Sequence, residues 1–289
     1  MSDWDDYRLI LALARSGTLR AAAGELGMTH TTVSRRLAMI EDVRGKVFEK
    51  HPAGYRPTSL GDALIDVAGR MESLTQAGSR YERAVEQDLA GVVTLSLPDP
   101  VAQYLVLEDL FELAELYPKI DLRINSSVNL VDLDRLEADV VVRGTEQPPD
   151  HLVGRRLFPN RITYYANRDY LASTSADKLR WIAPSASGAS PDWLESSPYP
   201  DAPVAFLCDD IVTRHHALVQ GMGLARGACF MADPEPCLVR LTDQQPIRQY
   251  DFWVLTHPDL RHTPRVRAVM EFMVRAMKSK EDLVQGRCA

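Results

Sequence analysis

The sequence predicts an α/β protein with an N-terminal all-α winged helix-turn-helix, a long linker helix and a C-terminal α/β region of two halves. Three observations support this division. Short apolar helices separated by glycines fill residues 1–57, an unbroken helical repeat covers 58–90, and strand and helix patterns alternate over 91–289. A chain of 289 residues is also longer than a single hydrophobic core usually becomes.

Charge is unevenly distributed along the chain. The net formal charge is -7, which excludes a protein that is basic throughout. Residues 29–56 nevertheless carry six basic and three acidic side chains, a net +3. Taking the +2 of residues 1–56 from -7 leaves -9 for the remainder. A polyanionic partner would therefore bind near residues 29–56.

Other sequence features argue against export, membrane insertion and metal binding. No apolar run approaches the roughly 18 residues that a membrane span needs, and the start, "MSDWDDYRLI", is acidic where a signal peptide is basic. The four cysteines lack CxxC or Cys/His ligand spacing, which predicts free thiols. We therefore expect a cytoplasmic protein with no membrane contact, no disulfide, no metal and no cofactor.

The first sixty residues predict three short helices. One ends at Gly17, the second runs from Leu19 to Leu26, and the third begins at its capping residue, Thr29. Small alanines in the second helix allow the third to approach closely. The predicted inward-facing residues of the third helix are Val33, Leu37 and Ile40.

Two helices across a short glycine turn form a helix-turn-helix, in which the second helix enters the DNA major groove. An ordinary helical hairpin with a solvated basic face is the alternative, and the local +3 charge favours DNA. The segment that follows predicts a wing with its turn at 52–54. We expect His30 or Arg35 to read base edges, and the basic residues Arg36, Lys46, Lys50 and Arg56 to bind phosphates. The complete set of predicted DNA contacts is Thr29, His30, Thr31, Thr32, Ser34, Arg35, Arg36, Lys46, Lys50 and Arg56.

The predicted linker helix carries a heptad-like apolar seam, with alternating steps of four and three residues. Its positions are Leu60, Leu64, Val67, Met71, Leu74, Gly78, Tyr81 and Val85. The pattern favours an intermolecular coiled coil in a homodimer or homotetramer. A helix that packs only on its own domain is the alternative.

From residue 91 the order β-α-β-α-β predicts a mostly parallel sheet, with one helix over 101–117 and another over 130–137. A second set of strands and helices begins near 161. We expect one half at about 91–160 and 265–289, the other at about 161–264, and a cleft between them. The predicted cleft residues are Pro98, Asp99, Gln103, Ser126, Ser127, Val128, Arg143, Cys208, Asp209 and Asp210.

Asp99 bears on the charge of a cleft ligand. A carboxylate at a helix start can itself satisfy the free amides and would repel an anion, so we hypothesise a neutral, hydroxylated or cationic effector. Asp99 as a plain helix cap without ligand contact is the alternative. No catalytic motif or metal pair points to an enzyme, and "GMGLA" at 221–225 is interpreted as a turn into a strand instead of a phosphate loop.

The first sixty residues resemble the winged helix-turn-helix of LysR-type transcriptional regulators. The matching positions are Gly17, Thr18, Ala22, Ala23, Leu26, Val33, Ser34, Arg35, Ile40, Glu41, Gly45, Phe48, Thr58 and Gly61. The family commonly has Ser-Phe where Thr18 and Leu19 stand and often Gln at His30, which leaves the preferred DNA sequence open. The resemblance is looser over 91–289, through "LEADVVVRG", "GMGLA" and "TPRVRAVMEFM".

This resemblance implies a homo-oligomeric regulator that binds a double-stranded DNA operator. It also implies an effector domain with the architecture of periplasmic solute-binding proteins, in which a small molecule binds. Two other functions remain open from sequence: a small-molecule binding module whose helical head contacts proteins, and an enzyme acting in the cleft. DNA binding to the chain's own upstream region would exclude the first, and turnover of a cleft ligand would support the second.

Overall fold

The structure, a computed structural model, describes residues 4–85, 89–126, 138–185 and 191–287. The chain forms two compact units, Met1–Glu82 and Arg83–Ala289. The first is helical with a small hairpin, and the second is built on one large sheet. Within the described residues, no helix is both long enough and apolar enough to cross a membrane.

The first unit contains three complete helices, a two-stranded hairpin and most of a fourth helix, which ends three residues past Glu82. These elements are α1 (Trp4–Ser16), α2 (Leu19–Glu25), α3 (His30–Arg44), β1 (Phe48–His51), β2 (Gly54–Pro57) and α4 (Ser59–Val85). The turn before α2 contains Gly17 at φ +69°, and the turn before α3 contains Gly27 at φ +65°, a backbone region that favours glycine. The predicted three-helix arrangement and its glycine breaks are confirmed.

The core of the first unit depends on small side chains in α2. Ala22 is fully buried and Ala23 is 5% exposed, and α3 places Val33 at 0% exposure in the same cluster. Thr18 and Thr29 cap their helices, since their hydroxyls accept hydrogen bonds from Ala21 N and Thr32 N, both at 3.2 Å. The inward face of α3 is therefore as predicted.

Helix α4 packs part of its first half on this core. Leu64 and Ile65 contact the core cluster, and Ala68 is fully buried. Arg15 of α1 forms two hydrogen bonds to Glu72, of 3.1 and 2.6 Å. One predicted seam position, Leu64, thus packs on its own unit, whereas other seam positions stay exposed.

The second unit alternates strands and helices. Its strands are β3 (Gly91–Leu97), β4 (Ile120–Ser126), β5 (Val140–Thr145), β6 (Val153–Asn167), β7 (Trp181–Ala183), β8 (Val204–Leu207), β9 (Leu224–Ala228), β10 (Leu238–Arg240) and β11 (Ile247–Thr256). Its α-helices are α5 (Asp99–Tyr104), α6 (Leu107–Leu116), α7 (Arg168–Ser173), α8 (Ile211–Val219), α9 (Cys229–Ala232), α10 (Pro264–Ser279) and α11 (Glu281–Val284). Short 3₁₀ turns lie at Ala176–Lys178 and Pro258–Leu260.

The described strands of this unit form one sheet in the order β4-β3-β5-β11-β6-β9-β7-β8, with β10 also paired to β6. Strand β3 is parallel to β4 and β5, and β7 is parallel to β8 and β9. Strand β11 is antiparallel to β5 and β6, and β6 is antiparallel to β9. The two long strands β11 and β6 thus lie in the middle of the sheet, between two groups of parallel strands.

The predicted parallel arrangement of the first three strands is confirmed, since β3 is parallel to both β4 and β5. The whole sheet is mixed, because β6 and β11 run antiparallel between the halves. One prediction about the helices is wrong. The predicted helix over 101–117 is two helices, since the chain turns at Leu105 and Val106 to bury both side chains. The predicted helix over 130–137 lies outside the described residues.

Candidate nucleic-acid interface and ligand cleft

The first turns of α3 form an exposed polar surface. Thr29, His30, Thr31 and Arg35 are exposed, and Thr32 and Ser34 are partly exposed. The Thr29 hydroxyl lies 3.0 Å from that of Thr31 and 2.8 Å from that of Thr32. Among the described residues, Arg35 has no hydrogen-bond or ion-pair partner, which leaves its guanidinium available to a ligand.

Arg36 is the neighbour of Arg35 but has a different environment. Its Nε lies 3.2 Å from Asp6 Oδ1, and its Nη2 lies 3.5 Å from Asp5 Oδ2. Both acids belong to α1. A phosphate that binds Arg36 would therefore compete with two carboxylates, so the predicted contribution of Arg36 to DNA binding is smaller than that of an unpaired arginine.

Lys46 and the wing are fixed by Glu41. The Glu41 carboxylate accepts hydrogen bonds from Lys46 Nζ at 2.7 Å, Val47 N at 3.1 Å and Phe48 N at 3.0 Å. Partial burial opposes ionisation, but the bonds from Lys46 and the two amides outweigh it and lower the pKa of Glu41. The Lys46 side chain is itself 77% exposed, so its ammonium can still meet a phosphate.

The wing presents Lys50 and Arg56 to solvent, on adjacent strands. Its position follows from two close backbone contacts. Tyr55 N donates to Gly17 O at 2.8 Å, and a Cβ at Gly54 would lie 2.2 Å from the same oxygen. A Cβ at Gly61 would lie 2.2 Å from Val47 O, so glycine is required there too. The head thereby holds the α3 surface and the wing in one fixed arrangement.

The second unit brings two predicted cleft residues together at the carboxyl ends of its parallel strands. Asp99 begins α5 directly after β3, and its carboxylate accepts a short hydrogen bond from the Ser126 hydroxyl at the end of β4. Pro98 is the helix cap, and no side chain caps α5. The interpretation of Asp99 as a capping residue is therefore wrong, because its carboxylate points to the neighbouring strand.

The other predicted cleft residues have different surroundings. Arg143 is 7% exposed and donates to Ser96 Oγ at 2.8 Å and Val142 O at 2.9 Å; burial lowers its pKa. Its guanidinium thus braces neighbouring strands. Gln103 is exposed on α5, one residue before Tyr104. Ser127 and Val128 lie outside the described residues.

The end of β8 forms a compact polar turn. Asp210 caps α8 by accepting a hydrogen bond from Thr213 N at 2.6 Å, and hydrogen bonds from the Thr213 side chain and from this amide lower the pKa of Asp210. Asp209 accepts from Ser185 N at 2.8 Å. Arg214 donates to Cys208 O at 2.5 Å and to Asp209 O at 2.8 Å. These hydrogen bonds fix the backbone of the turn, and the Asp209 and Asp210 side chains are exposed.

A contact between the two halves was missed by the sequence reasoning. Tyr104 Oη of α5 lies 2.9 Å from His216 Nε2 of α8, and the Tyr104 ring packs edge-to-face on His215 with centroids 5.1 Å apart. These residues are 112 positions apart, so no local pattern could have paired them. In the described residues, no group of three His, Cys, Asp or Glu side chains could hold a metal ion.

Comparison with known protein families matches both units of the chain. The family described as "Bacterial regulatory helix-turn-helix protein, lysR family" matches residues 4–62, and the "LysR substrate binding domain" matches residues 86–278. The chain belongs to the LysR family. It is a LysR-type transcriptional regulator with a DNA-binding head and an effector-binding domain. This membership confirms the predicted fold class and the prediction that the chain is not an enzyme.

Individual relatives agree with this assignment. The Mau operon transcriptional activator of Paracoccus denitrificans is 29% identical over 200 residues, covering 69% of this chain and 64% of that protein. The regulator CrgA of Neisseria meningitidis serogroup C is 23% identical over an alignment of 302 residues, covering 93% of this LysR-type chain and 95% of that one.

Solved structures show the same fold. The structure of CrgA from Neisseria meningitidis has a TM-score of 0.56 at 20% identity, covering 95% of this chain and 99% of that one. Full-length AphB, a virulence activator of Vibrio cholerae, has a TM-score of 0.59 at 16% identity, with the same coverage of 95% and 99%. At these sequence identities, the similarity to the solved structures supports only the fold of this LysR-type regulator.

Proposed function

We propose that this LysR-type regulator binds a specific operator as a homo-oligomer in the cytoplasm, and that a small molecule in the cleft modulates its activity. One observation above all supports sequence-specific DNA binding: the Arg35 guanidinium is free and lies on the exposed first turns of α3. A recognition helix needs such a donor, since arginine binds two acceptors of guanine in the major groove. The fixed wing supplies Lys50 and Arg56 for neighbouring phosphates.

The exposed side of α4 supports assembly into a dimer. Leu60, Val67 and Leu74 lie seven residues apart and are 37%, 38% and 73% exposed. A spacing of seven places them on one stripe, which a second copy of the helix would cover in a coiled coil. Two heads joined this way would bind two half-sites together, which raises affinity well above that of one head.

Asp99 and Ser126 support a cleft that favours a neutral, hydroxylated or cationic effector. Asp99 places a carboxylate beyond the end of β3, and Asp209 and Asp210 are exposed at the end of β8. Arg143 and Arg214, the nearby cations, donate to strand and turn oxygens of the protein itself. A simple carboxylate would therefore find more repulsion than attraction among these described groups.

DNA binding can be tested directly by fluorescence anisotropy. We expect the full chain to bind a labelled duplex from its own upstream region at least about tenfold more tightly than a shuffled duplex of equal length at the same salt. Equal affinities for the two duplexes at every salt concentration would refute sequence-specific binding.

The effector class can be tested by calorimetry on the full chain. Simple carboxylates, polyols and amines are titrated separately into wild type and Asp99→Asn. Tight binding of a carboxylate to wild type, unimproved by Asp99→Asn, would contradict the proposed role of the Asp99 charge. Saturable binding of a polyol or amine that weakens in Asp99→Asn would support it.

A further inference from the structure

A basic cavity lies at the amino ends of β5 and β6, at the opposite end of the strands from the cleft. It has a volume of about 380 Å³ and is lined by the start of β6, the end of β11, the turn that follows and one face of α10. The strand register pairs Thr256 with Val140 and with Val153, at the amino ends of β5 and β6. The cleft residues Asp99 and Ser126 lie at the carboxyl ends of β3 and β4, which are parallel to β5.

Four basic side chains from separate elements line this cavity: Arg155 of β6, Arg261 and His262 of the turn, and Arg267 of α10. Among the described residues, Arg155, Arg261 and His262 form no ion pair. Glu271 is the single acid among the described lining residues, and its carboxylate lies 3.7 Å from Arg267 Nε. Positive charge therefore exceeds negative charge here, in a region of the chain that carries -9 overall.

The start of α10 lies in the sequence between two lining residues of the cavity, His262 and Arg267. The helix has 16 residues, begins at Pro264, and contains no acid in its first turn. Its capping residue, Thr263, is fully buried, and the Thr263 hydroxyl has no hydrogen-bond partner among the described residues. Helix starts normally attract anions, because their free amides carry partial positive charge. Arg261 and His262 precede this end of the helix and Arg267 follows it, and all three line the cavity.

We propose that this cavity binds a small oxyanion of the phosphate type, either inorganic phosphate or a phosphomonoester. Guanidinium groups bind phosphate oxygens through paired hydrogen bonds, and three arginines line this cavity. The volume is within the range of small-molecule pockets and leaves room for a modest organic group on the phosphate. Because the cavity lies at the amino ends of β5 and β6 and the cleft lies at the carboxyl ends of β3 and β4, this site is spatially separate from the proposed effector site.

Isothermal titration of the full chain with inorganic phosphate tests the proposal. Ionic strength is kept constant with sodium chloride, so that general screening cancels. We expect saturable binding to wild type, a loss of about tenfold in affinity for Arg261→Ala and for Arg267→Ala, and a smaller loss for Arg261→Lys. The matched control is Arg180→Ala, another exposed arginine of the same unit, which should bind like wild type.

Arg261 lies in an exposed turn, so its alanine variant keeps the test valid if Arg267→Ala fails to fold. No saturable heat in wild type, or equal affinity in Arg261→Ala and wild type, would overturn the proposal. Titration with glycerol phosphate distinguishes the two sources, since tighter binding than inorganic phosphate indicates a phosphomonoester. DNA is the remaining phosphate source. If Arg261→Ala weakens DNA binding and flattens its salt dependence, these cations contact the DNA backbone and the proposal is wrong.

Discussion

At the scale of single residues, Arg35 and Lys50 should have separable effects on DNA binding. Arg35→Ala removes a candidate base contact, so operator affinity should fall by about 1–3 kcal/mol while affinity for random DNA changes little. Lys50→Ala removes a candidate phosphate contact, so both duplexes should bind more weakly and the salt slope should fall by about one. Anisotropy titrations at four salt concentrations measure all of these quantities.

Arg35→Lys is the matched control for this pair. Lysine keeps the charge but loses the planar fork that binds two acceptors, so selectivity should fall while random-DNA affinity is retained. If Arg35→Ala loses the same affinity for operator and for random DNA, Arg35 does not read bases.

Glu41 should stabilise the head through its three hydrogen bonds to Lys46, Val47 and Phe48. Its side chain is 11% exposed, so water replaces these partners poorly. We expect Glu41→Gln to lower the free energy of unfolding of the head by about 1 kcal/mol, because a charged acceptor becomes neutral. Urea denaturation followed by circular dichroism measures the change, and the exposed Glu25→Gln should leave it unaltered.

The pH dependence of this difference has a definite sign. The pKa of Glu41 is lowered in the folded state, so its stabilisation is complete above the ordinary glutamate range and is lost as pH falls through the lowered value. Wild type and Glu41→Gln should therefore converge in acid. A difference that is constant from neutral pH into strong acid would show that the Glu41 charge does not contribute.

Single residues also show what sequence could predict. Gly17, Gly61 and Glu41 belong to a local pattern in which close backbone approach and short-range hydrogen bonds restrict the residue type, so their spacing identified the head. Arg143 follows no such rule. Its position at a strand end predicted a cleft ligand, but its long side chain reaches Ser96 within the sheet, a choice that depends on packing across strands.

At the scale of elements, α4 should hold two chains together. Leu74 is 73% exposed on the stripe that it shares with Leu60 and Val67. Leu74→Glu would place a charge inside a coiled-coil seam, so we expect the mass in solution to shift toward the monomer. Light scattering coupled to size-exclusion chromatography measures this shift over a range of concentrations.

Ser73→Glu is the control, since it adds the same charge to an exposed neighbouring position of α4 outside the stripe. It should assemble like wild type. If Leu74→Glu also keeps the wild-type mass at the lowest concentration, the exposed stripe of α4 is not the dimer contact.

Elements also differ in how well sequence predicted them. The third helix of the head begins where the sequence predicts, because its capping residue, Thr29, marks the start. Strand β6 was predicted from 161 but starts at Val153, because Pro159 and two arginines interrupt the apolar pattern of its first half. Pro159 is tolerated because it pairs with Asp251 at a register shift between β6 and β11.

At the scale of the whole molecule, the proposed response to an effector would act by favouring one relative placement of the two halves of the second unit over another. The continuous pair β6 and β11 connects the halves through backbone hydrogen bonds. Tyr104 and His216 connect them through side chains beside the predicted cleft. A side-chain contact is easier to break than a strand pair, so this contact is the candidate site of movement.

Tyr104→Phe should loosen the two halves without disturbing the core. The variant loses the hydroxyl that meets His216 Nε2 but keeps the ring that packs on His215. Burial raises the pKa of Tyr104, so the wild-type phenol stays protonated and able to donate at neutral pH. Losing one such bond costs about 0.5–1.5 kcal/mol, which corresponds to a two- to about tenfold faster local amide exchange in α5 and α8.

Hydrogen exchange followed by mass spectrometry measures this effect on the full chain. His216→Ala should accelerate exchange in the same two helices, and the double variant should add little, because both changes remove one shared bond. Exchange in α10, which packs on the sheet away from this contact, serves as the internal reference. Additive effects of the two variants, or no change in α5 and α8, would mean that the Tyr104–His216 contact does not hold the halves together.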